Sequence, residues 1–382
     1  MTDNNSKFQK RDFLYGGCIT AIIAGIAFFL WIIGFTTDIF DPIGKALDNY
    51  HLSDGFFYAE SKRHRAVTDI NPGIVIVDIG DCDSRKEISE LVNTINSANP
   101  KLLAVDIIFG KSPTISSEED SLLKDAFSRV PHLVLASRCV EGANGWQTER
   151  SFFSEELNCT EGDVNYENGI VRTFSSIQSF GNITVPSFVG QVARLGGLCD
   201  SFPTQLINYS PDSTITLLPD KLTHLELLNN QIVLLGDRHD LRDYHDIPVL
   251  MDGMPRTSGL NISAQCLYSL QSGKTFRRCP QWLDILIGVL LTYLFCTFIA
   301  SPKYRIKQFN GFWISLCQIG TLIILVALTY LVFWKFHYSI SLKYWLIGVG
   351  FSGFATEFFY FFFIYKQYRE TKLYKLIKRH RS

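Results

Sequence analysis

The sequence predicts an α/β domain with a mostly parallel or mixed sheet, joined to four membrane-spanning helices, one before the domain and three after it. Three observations predict this. Residues 13–36, 282–301, 311–334 and 343–364 are each apolar over a length that suits a hydrocarbon core, which takes about 20 helical residues. In the intervening segment 37–281, continuous β-branched runs alternate with helical spacing. That is the pattern of strands buried on both faces and connected by helices. Finally, the Lys and Arg residues that flank the spans are strongly biased to one side.

That bias sets the orientation. Lys7, Lys10 and Arg11 precede the first span, Lys303, Arg305 and Lys307 separate the second from the third, and seven basic residues between Lys366 and Arg381 follow the fourth. The loop between the third and fourth spans holds only Lys335 and Lys343. Residues 1–12 and the basic tail 365–382 are therefore expected in the cytoplasm, and 37–281 outside it. The first span is too long for a typical signal-peptide core and no small-x-small site follows it, so it reads as an uncleaved anchor. The tail should attract anionic membrane lipid at about 1 kcal/mol per basic residue near the surface. A net charge of −1 gives no reason to expect nucleic acid.

Within the external segment, residues 40–65 have helix-compatible apolar spacing at Ile39, Ile43 and Leu47 and end in the basic run Lys62 to Arg65. A buried strand is predicted over 74–79, a helix over 87–98 from the spacing of Ile88, Leu91, Val92 and Ile95, and a second strand over 101–109. Ser116, followed by the first-turn acids Glu118 and Glu119, opens a helix that runs to Val130. Strands follow at 132–136, 171–176, 206–209 and 231–235, with helices at 187–195 and 261–271; the polar stretch 140–168 reads as an irregular insertion. This is a Rossmann-like arrangement, and in such sheets ligands bind beyond the carboxyl ends of the strands.

Those ends carry the candidate ligand-binding residues: Asp78, Asp81 and Asp106, then Asp237, Arg238, His239 and Asp243 in the loop after the 231–235 strand. Carboxylates and imidazoles this dense can coordinate a divalent metal. His239 and Asp243 are spaced i, i+4 and could share a helix face, with His245 and Asp246 beside them. A metal-dependent hydrolase needs further Asp and His motifs at other strand ends, and the competing reading is a polar loop held by internal pairs to Arg238 and Arg242. The spacing of Asp78 and Asp81 does not fit the Asp-x-Asp of a phosphatase nucleophile, and no cofactor is expected. Gly348 to Gly353 matches G-x-G-x-x-G but lies inside a span with no preceding strand, so it reads as a helix-packing surface, as do Gly17, Ala21 and Gly25. Cys139 and Cys159 flank the polar excursion and are the candidate disulfide, permitted if the compartment is oxidising. Gln318 and Glu357 are expected at similar depth in antiparallel spans, where they could hydrogen-bond; an ionisable group at that depth is a functional hypothesis by default.

Taken in order, Ile74 to Ile79, Asn99 to Phe109, Gly169 to Arg172, Pro186 to Phe188, Ile207 to Tyr209, Ile232 to Gly236, and Met254-Pro255 through Asn261 to Ala264 and on to Gly273 resemble the CHASE2 domain. That family is an extracytoplasmic sensory module of bacterial transmembrane receptors. The resemblance covers residues 40–275, and three following spans are also characteristic of it. Two departures stand out: Asp83 to Lys86 replaces a Gly-Arg-Trp-Pro-rich segment, and Gly236 to His239 replaces a loop of small residues. The resemblance implies a non-enzymatic sensor in a bacterial inner membrane, with the domain periplasmic or extracellular. Family members usually continue into a cytoplasmic kinase or cyclase, whereas only 18 residues follow position 364 here. The expected output is therefore a cytoplasmic or membrane effector acting in trans, or a role within an assembly such as a homo-oligomer. A structural scaffold, and after it a metal-dependent periplasmic hydrolase, are the alternatives.

Overall fold

The computed structural model describes Lys10–Thr37, Leu52–Arg63 and most of residues 73–364, leaving out 81, 83, 112–115, 144, 167–168, 210–214, 220–223, 252, 274, 301–309 and 342. Asp81 and the basic tail 365–382 lie outside the described residues, as does most of the segment between the first span and Leu52. The chain forms two compact units: Ser53–Arg278, and a membrane unit from residues 1–52 and 279–382.

In chain order the elements are α1 (Lys10–Thr37), α2 (Leu52–Arg63), β1 (Ile74–Asp78), α3 (Arg85–Ser97), β2 (Leu102–Val105), α4 (Ser117–Ser128), β3 (Leu133–Gly142), β4 (Gly145–Glu149), α5 (Ser154–Leu157) and β5 (Thr160–Asp163). There follow β6 (Thr173–Phe174), β7 (Ile177–Phe180), β8 (Ile183–Pro186), α6 (Phe188–Leu195), β9 (Gln205–Leu206), β10 (Ile215–Leu217), β11 (Ile232–Gly236), β12 (Tyr244–Met251), β13 (Met254–Ser258) and α7 (Gly259–Gln271). The membrane unit continues with α8 (Gln281–Ala300), α9 (Asn310–Phe336) and α10 (Lys343–Phe359).

The domain is built on a mixed seven-stranded sheet in the order β10-β1-β11-β2-β3-β4, with β5 also paired to β3. Every pairing is parallel except β3 with β4. Ile74 to Val77 are fully buried, and each such side chain contributes about 1.5–3 kcal/mol of hydrophobic stabilisation. One face is covered by the apolar stripe Ile88, Leu91, Val92 and Ile95 of α3, together with Leu123 and Phe127 of α4. The start of α3 is fixed by a capping box: Ser84 Oγ accepts from Glu87 N (3.2 Å) while Glu87 accepts from Ser84 N (3.1 Å). Ser116, Ser187 and Ser258 cap α4, α6 and α7 by the same chemistry.

The stretch 140–168 is not the irregular insertion expected. It holds the end of β3, β4, α5 and β5, and β5 extends the sheet. Thr160–Asp163 carries no apolar alternation because its inner contact is made at Gly162. A Cβ there would stand 2.7 Å from Phe188 N and 2.8 Å from Ser187 O. The 237–246 loop forms no helix for His239 and Asp243 to share. A single 3-10 turn spans Leu241–Asp243, and β12 then begins, with Ile247, Val249 and Met251 alternately buried.

Among the described residues, four helices are long and apolar enough to cross a membrane, at Lys10–Leu30, Gln281–Ala300, Gly311–Phe336 and Lys343–Phe363. Small residues set their packing, but in α1 the close approach is at Gly16 against Thr297, not at Gly17 or Gly25, which have no tight neighbour. Gly348 packs against Thr292 and Gly353 against Ile314. The expected Gln318–Glu357 bond is corrected. Gln318 Nε2 donates to Val349 O (2.7 Å) and Ser352 Oγ (3.1 Å), at least a turn short of Glu357, which is exposed. Glu357 lies five residues beyond Ser352, about 7.5 Å along the axis.

Replacing Gly162 by alanine should force β5 and α6 apart, because both obstructing atoms are backbone. The expected loss is about 1–3 kcal/mol, read as a fall in melting temperature of the purified full chain. An unchanged melting temperature would show that the β5–α6 contact is looser than described.

Candidate functional site

The sheet order puts β11 between β1 and β2. Asp78 is opposite Gly236, and Leu235 is opposite Val105, so Asp106 follows at the same level. Asp78, Gly236 and Asp106 therefore stand side by side on adjacent strands about 4.8 Å apart. The middle position is tight for a side chain: a Cβ at Gly236 would stand 3.2 Å from Leu260 Cδ1 and 3.3 Å from both Asp106 Cβ and Asp106 O. Parallel topology brings the residues singled out from sequence to one sheet edge, but it does not give them one task.

Asp78 is completely buried and organises two turns. Its Oδ1 accepts from Gly80 N (3.2 Å) and Arg238 N (3.1 Å). Its Oδ2 lies 3.3 Å from His239 Nε2, yet has no well-aligned hydrogen bond. The distance marks electrostatic proximity, weakened because the His239 side chain is 73% exposed. Asp237 Oδ1 accepts from His239 N (2.7 Å). Asp240 accepts from Arg242 through both its guanidinium and its backbone N–H, and these bonds hold the Asp240 carboxyl below the usual range. The loop after β11 thus closes on itself through internal Asp–Arg contacts.

His245 faces a different carboxylate, with its Nε2 3.4 Å from Asp243 Oδ1. The two imidazoles are divided between Asp78 and Asp243, and among the described residues no three His, Cys, Asp or Glu side chains converge on one point. The metal set expected from His239, Asp243 and His245 is not assembled, because the chain turns into β12 between them. Asp243 instead accepts from Gly259 N (2.8 Å) at the start of α7, where the helix dipole also favours a negative charge. Burial, and then the charge of Asp243, push the Asp106 carboxyl up to about 7. Tyr166 joins this group: its OH is 2.7 Å from Ser263 Oγ, and its ring meets His245 edge-on at 5.2 Å.

Tyr166 is also a wall of a cavity of about 330 Å³ that the sequence reading missed. The cavity lies beyond the carboxyl end of β5 and at the start of α6, on the same side of the parallel sheet as Asp78 and Asp106. Its wall runs along Thr173–Phe180, where Phe174, Ile177 and Phe180 are interleaved with Ser175, Gln178 and Ser179. That mixture of rings and hydroxyls after a short strand was the available signal. Asp163, at the cavity's inner end, is 2% exposed and accepts from Cys139 N (2.6 Å), Asn165 N (3.2 Å) and Asn165 Nδ2 (3.3 Å); burial raises its carboxyl.

Cys139 and Cys159 are both free thiols, which corrects the expected disulfide. They sit on parallel neighbours whose register pairs Val134 with Thr160, leaving Cys139 about six residues farther along than Cys159. At about 3.3 Å per residue that is roughly 20 Å, whereas a disulfide needs Cα atoms within about 7 Å.

The raised Asp106 carboxyl makes a pH prediction. Its folded value of about 7 exceeds the model value of 3.8, so the folded state holds the proton more tightly and stability falls as pH rises from about 4 to about 7. Asp106→Asn removes this loss. It should leave the melting temperature near that of the unsubstituted protein at pH 4 and raise it at pH 8. At about 1.4 kcal/mol per pH unit the ceiling is about 4 kcal/mol, reduced by solvent access. A difference that is the same at both pH values would remove Asp106 as the titrating group.

Against known proteins, the family model described as the CHASE2 domain matches residues 26–299. No curated protein and no solved structure matches the chain. CHASE2 is an extracytoplasmic sensory, non-catalytic domain family. Its match covers well over half of the sequence, including the whole α/β unit, the last part of α1 and nearly all of α8, and the chain accordingly belongs to the CHASE2 domain family.

Proposed function

We propose that this protein is a membrane-anchored sensor or regulator whose α/β domain receives a signal on the periplasmic face of a bacterial inner membrane and passes it through the four helices to a separate partner. The family's sensory character and the four apolar helices support the coarse reading. The observation that carries the finer one is how the domain holds its two ends.

Helix α2 leads from the first span into the domain, and Asp54 on it is gripped by Arg172 in a fork geometry. Arg172 Nε reaches Asp54 Oδ1 at 3.1 Å, and Nη2 reaches Oδ2 at 2.8 Å. Both side chains are largely shielded, and such paired, two-point contacts are the strong kind. One helical turn on, Phe57 packs edge-to-face on Phe276 at 5.3 Å, and both rings are buried. Phe276 is two residues from the end of the domain unit, and the second span begins shortly after it. The chain segments leading to spans one and two are thus clamped together inside the domain. A scaffold requires the clamp only for stability, whereas a sensor requires it for transmission.

A nucleotide cyclase reporter fused after residue 382 separates these readings. It receives ATP only if that terminus is cytoplasmic, so a silent reporter on a correctly inserted chain would overturn the orientation. Asp54→Ala and Arg172→Ala should each change cyclase output at least threefold at equal membrane level, and the exchanged pair Asp54→Arg with Arg172→Asp should restore it. Equal output from all four proteins would favour the scaffold.

A further inference from the structure

We propose that the cavity of about 330 Å³ beyond β5 is the pocket in which this domain takes its ligand, and that the ligand is an uncharged ring bearing hydroxyl or amide groups, of the size of an N-acetylhexosamine. The proposal deepens the sensor reading and rests on it for the consequence of binding, though not for binding itself.

The chemistry of the wall selects the ligand. Tyr166 and Phe180 offer partly exposed ring surface of the kind that receives the flat face of a small ring, backed by the buried Phe174 and Phe188. Apart from Asp163 the polar lining is neutral, with hydroxyls at Thr173, Ser175, Ser179, Ser187 and Thr204 and amides at Asn165 and Gln178. Among the described residues no Lys, Arg or His lines the cavity. An anion would therefore lose its water beside the Asp163 carboxylate with no cation to receive it, a large penalty. A cation fares little better, because Asp163 is buried and already accepts from three N–H donors. What remains favourable is a neutral molecule with one apolar face and a hydrogen-bonding rim, in a volume within the range of small-molecule sites.

The same wall connects to the clamp. Thr173 and Phe174 form β6, which pairs with Leu206 and Gln205 of β9, and the cavity residue Thr204 immediately precedes β9. Arg172, the partner of Asp54, is the residue before β6, and its carbonyl accepts from Ile207 N at 2.8 Å. On the other strand Leu206 N donates to Phe276 O at 2.7 Å, and Phe276 is the ring that holds Phe57. One short ladder thus presents its inner residues to the cavity and its next residues to both clamp contacts.

The test uses the full chain in lipid nanodiscs and calorimetric titration with N-acetylglucosamine, N-acetylgalactosamine and glucose, against glucuronate and glucose 6-phosphate as charged counterparts. Ile177 lines the cavity and is 54% exposed, so Ile177→Trp should obstruct the pocket without disturbing the core; Leu241, 78% exposed and elsewhere, gives the control Leu241→Trp. At least one neutral sugar should bind the unsubstituted protein and Leu241→Trp equally, and bind Ile177→Trp at least tenfold more weakly. The charged sugars should also bind at least tenfold more weakly. Absence of neutral-sugar binding, equal or tighter binding of the charged sugars, or undiminished binding to Ile177→Trp would overturn the assignment, and the reporter's response to breaking Asp54–Arg172 would still stand. Binding as expected with no change in reporter output on adding the sugar would instead keep the pocket and overturn the sensor reading.

Discussion

A parallel sheet buried on both faces constrains everything else in this domain. Its strands can carry no polar side chain along their length, and its crossovers bring every carboxyl end to one side. Ile74 to Val77, Leu102 to Val105 and Ile232 to Leu235 obey the first condition, all of them buried. The second condition then decides where polar chemistry goes. Asp78 terminates β1, Asp106 follows β2, Gly236 lies between them on β11, and Asp163 ends β5. Gly236 lets the two flanking carboxylates share an edge, since any side chain there would press on Asp106.

Carboxylates at one edge need not form one site, and here the local donors separate them. Asp78 receives two backbone N–H groups, Asp163 receives three donors, and Asp243 receives the first N–H of α7. These bonds hold turns, a neighbouring strand and a helix start, which is structural work, while Asp78 Oδ2 has no hydrogen-bond partner among the described residues. Asp106 is the exception: burial and the neighbouring Asp243 charge favour its neutral form up to about pH 7. A paired acid–base constellation would need a group within reach of Asp106 that titrates in the opposite sense. The groups beside it are Asp243, a second carboxylate, and Tyr166, whose phenol is itself driven upward by burial.

The legible parts of this chain were those in which sequence pattern and packing coincide. The runs at Ile74, Leu102 and Ile232 are strands because their apolar continuity has no other use, and Ser116 and Ser187 mark helix starts because a side-chain cap is a local interaction. The convergence of Asp78, Asp106 and the loop after β11 followed from topology. What sequence did not show depends on contacts made far along the chain. β5 has no strand pattern because its place is fixed by the approach of Phe188 to Gly162, and the cavity is walled by the Thr173–Phe180 segment, which itself meets α6 where Ser176 approaches Gly190. Composition misled at two points: Cys139 and Cys159 flank a polar stretch but lie at opposite ends of neighbouring strands, and His239 and His245 are close in sequence but serve different carboxylates. In the membrane unit a one-turn difference in depth moved Gln318 from Glu357 to the Val349–Ser352 turn.

Transmission calls for a part of the domain that can move without opening its core. The central strands cannot serve, because shifting one of them exposes side chains that are now wholly buried, at about 25 cal/mol per Å² of apolar surface. The β6–β9 ladder is different in kind. It is two residues long on each side and separate from the main sheet, and it meets the exit of the domain at the antiparallel bridge between Leu206 and Phe276, where Leu206 N donates to Phe276 O. Elements with few backbone bonds and little buried area open at lower free energy than core strands. A ligand that orders the cavity wall at Thr173 and Thr204 would therefore bias this ladder first. On the proposed sensor reading that bias would reach Arg172 and Phe276 by covalent continuity and backbone hydrogen bonding rather than through a long chain of packing changes, with the rigid sheet as the fixed frame against which a small ladder is displaced.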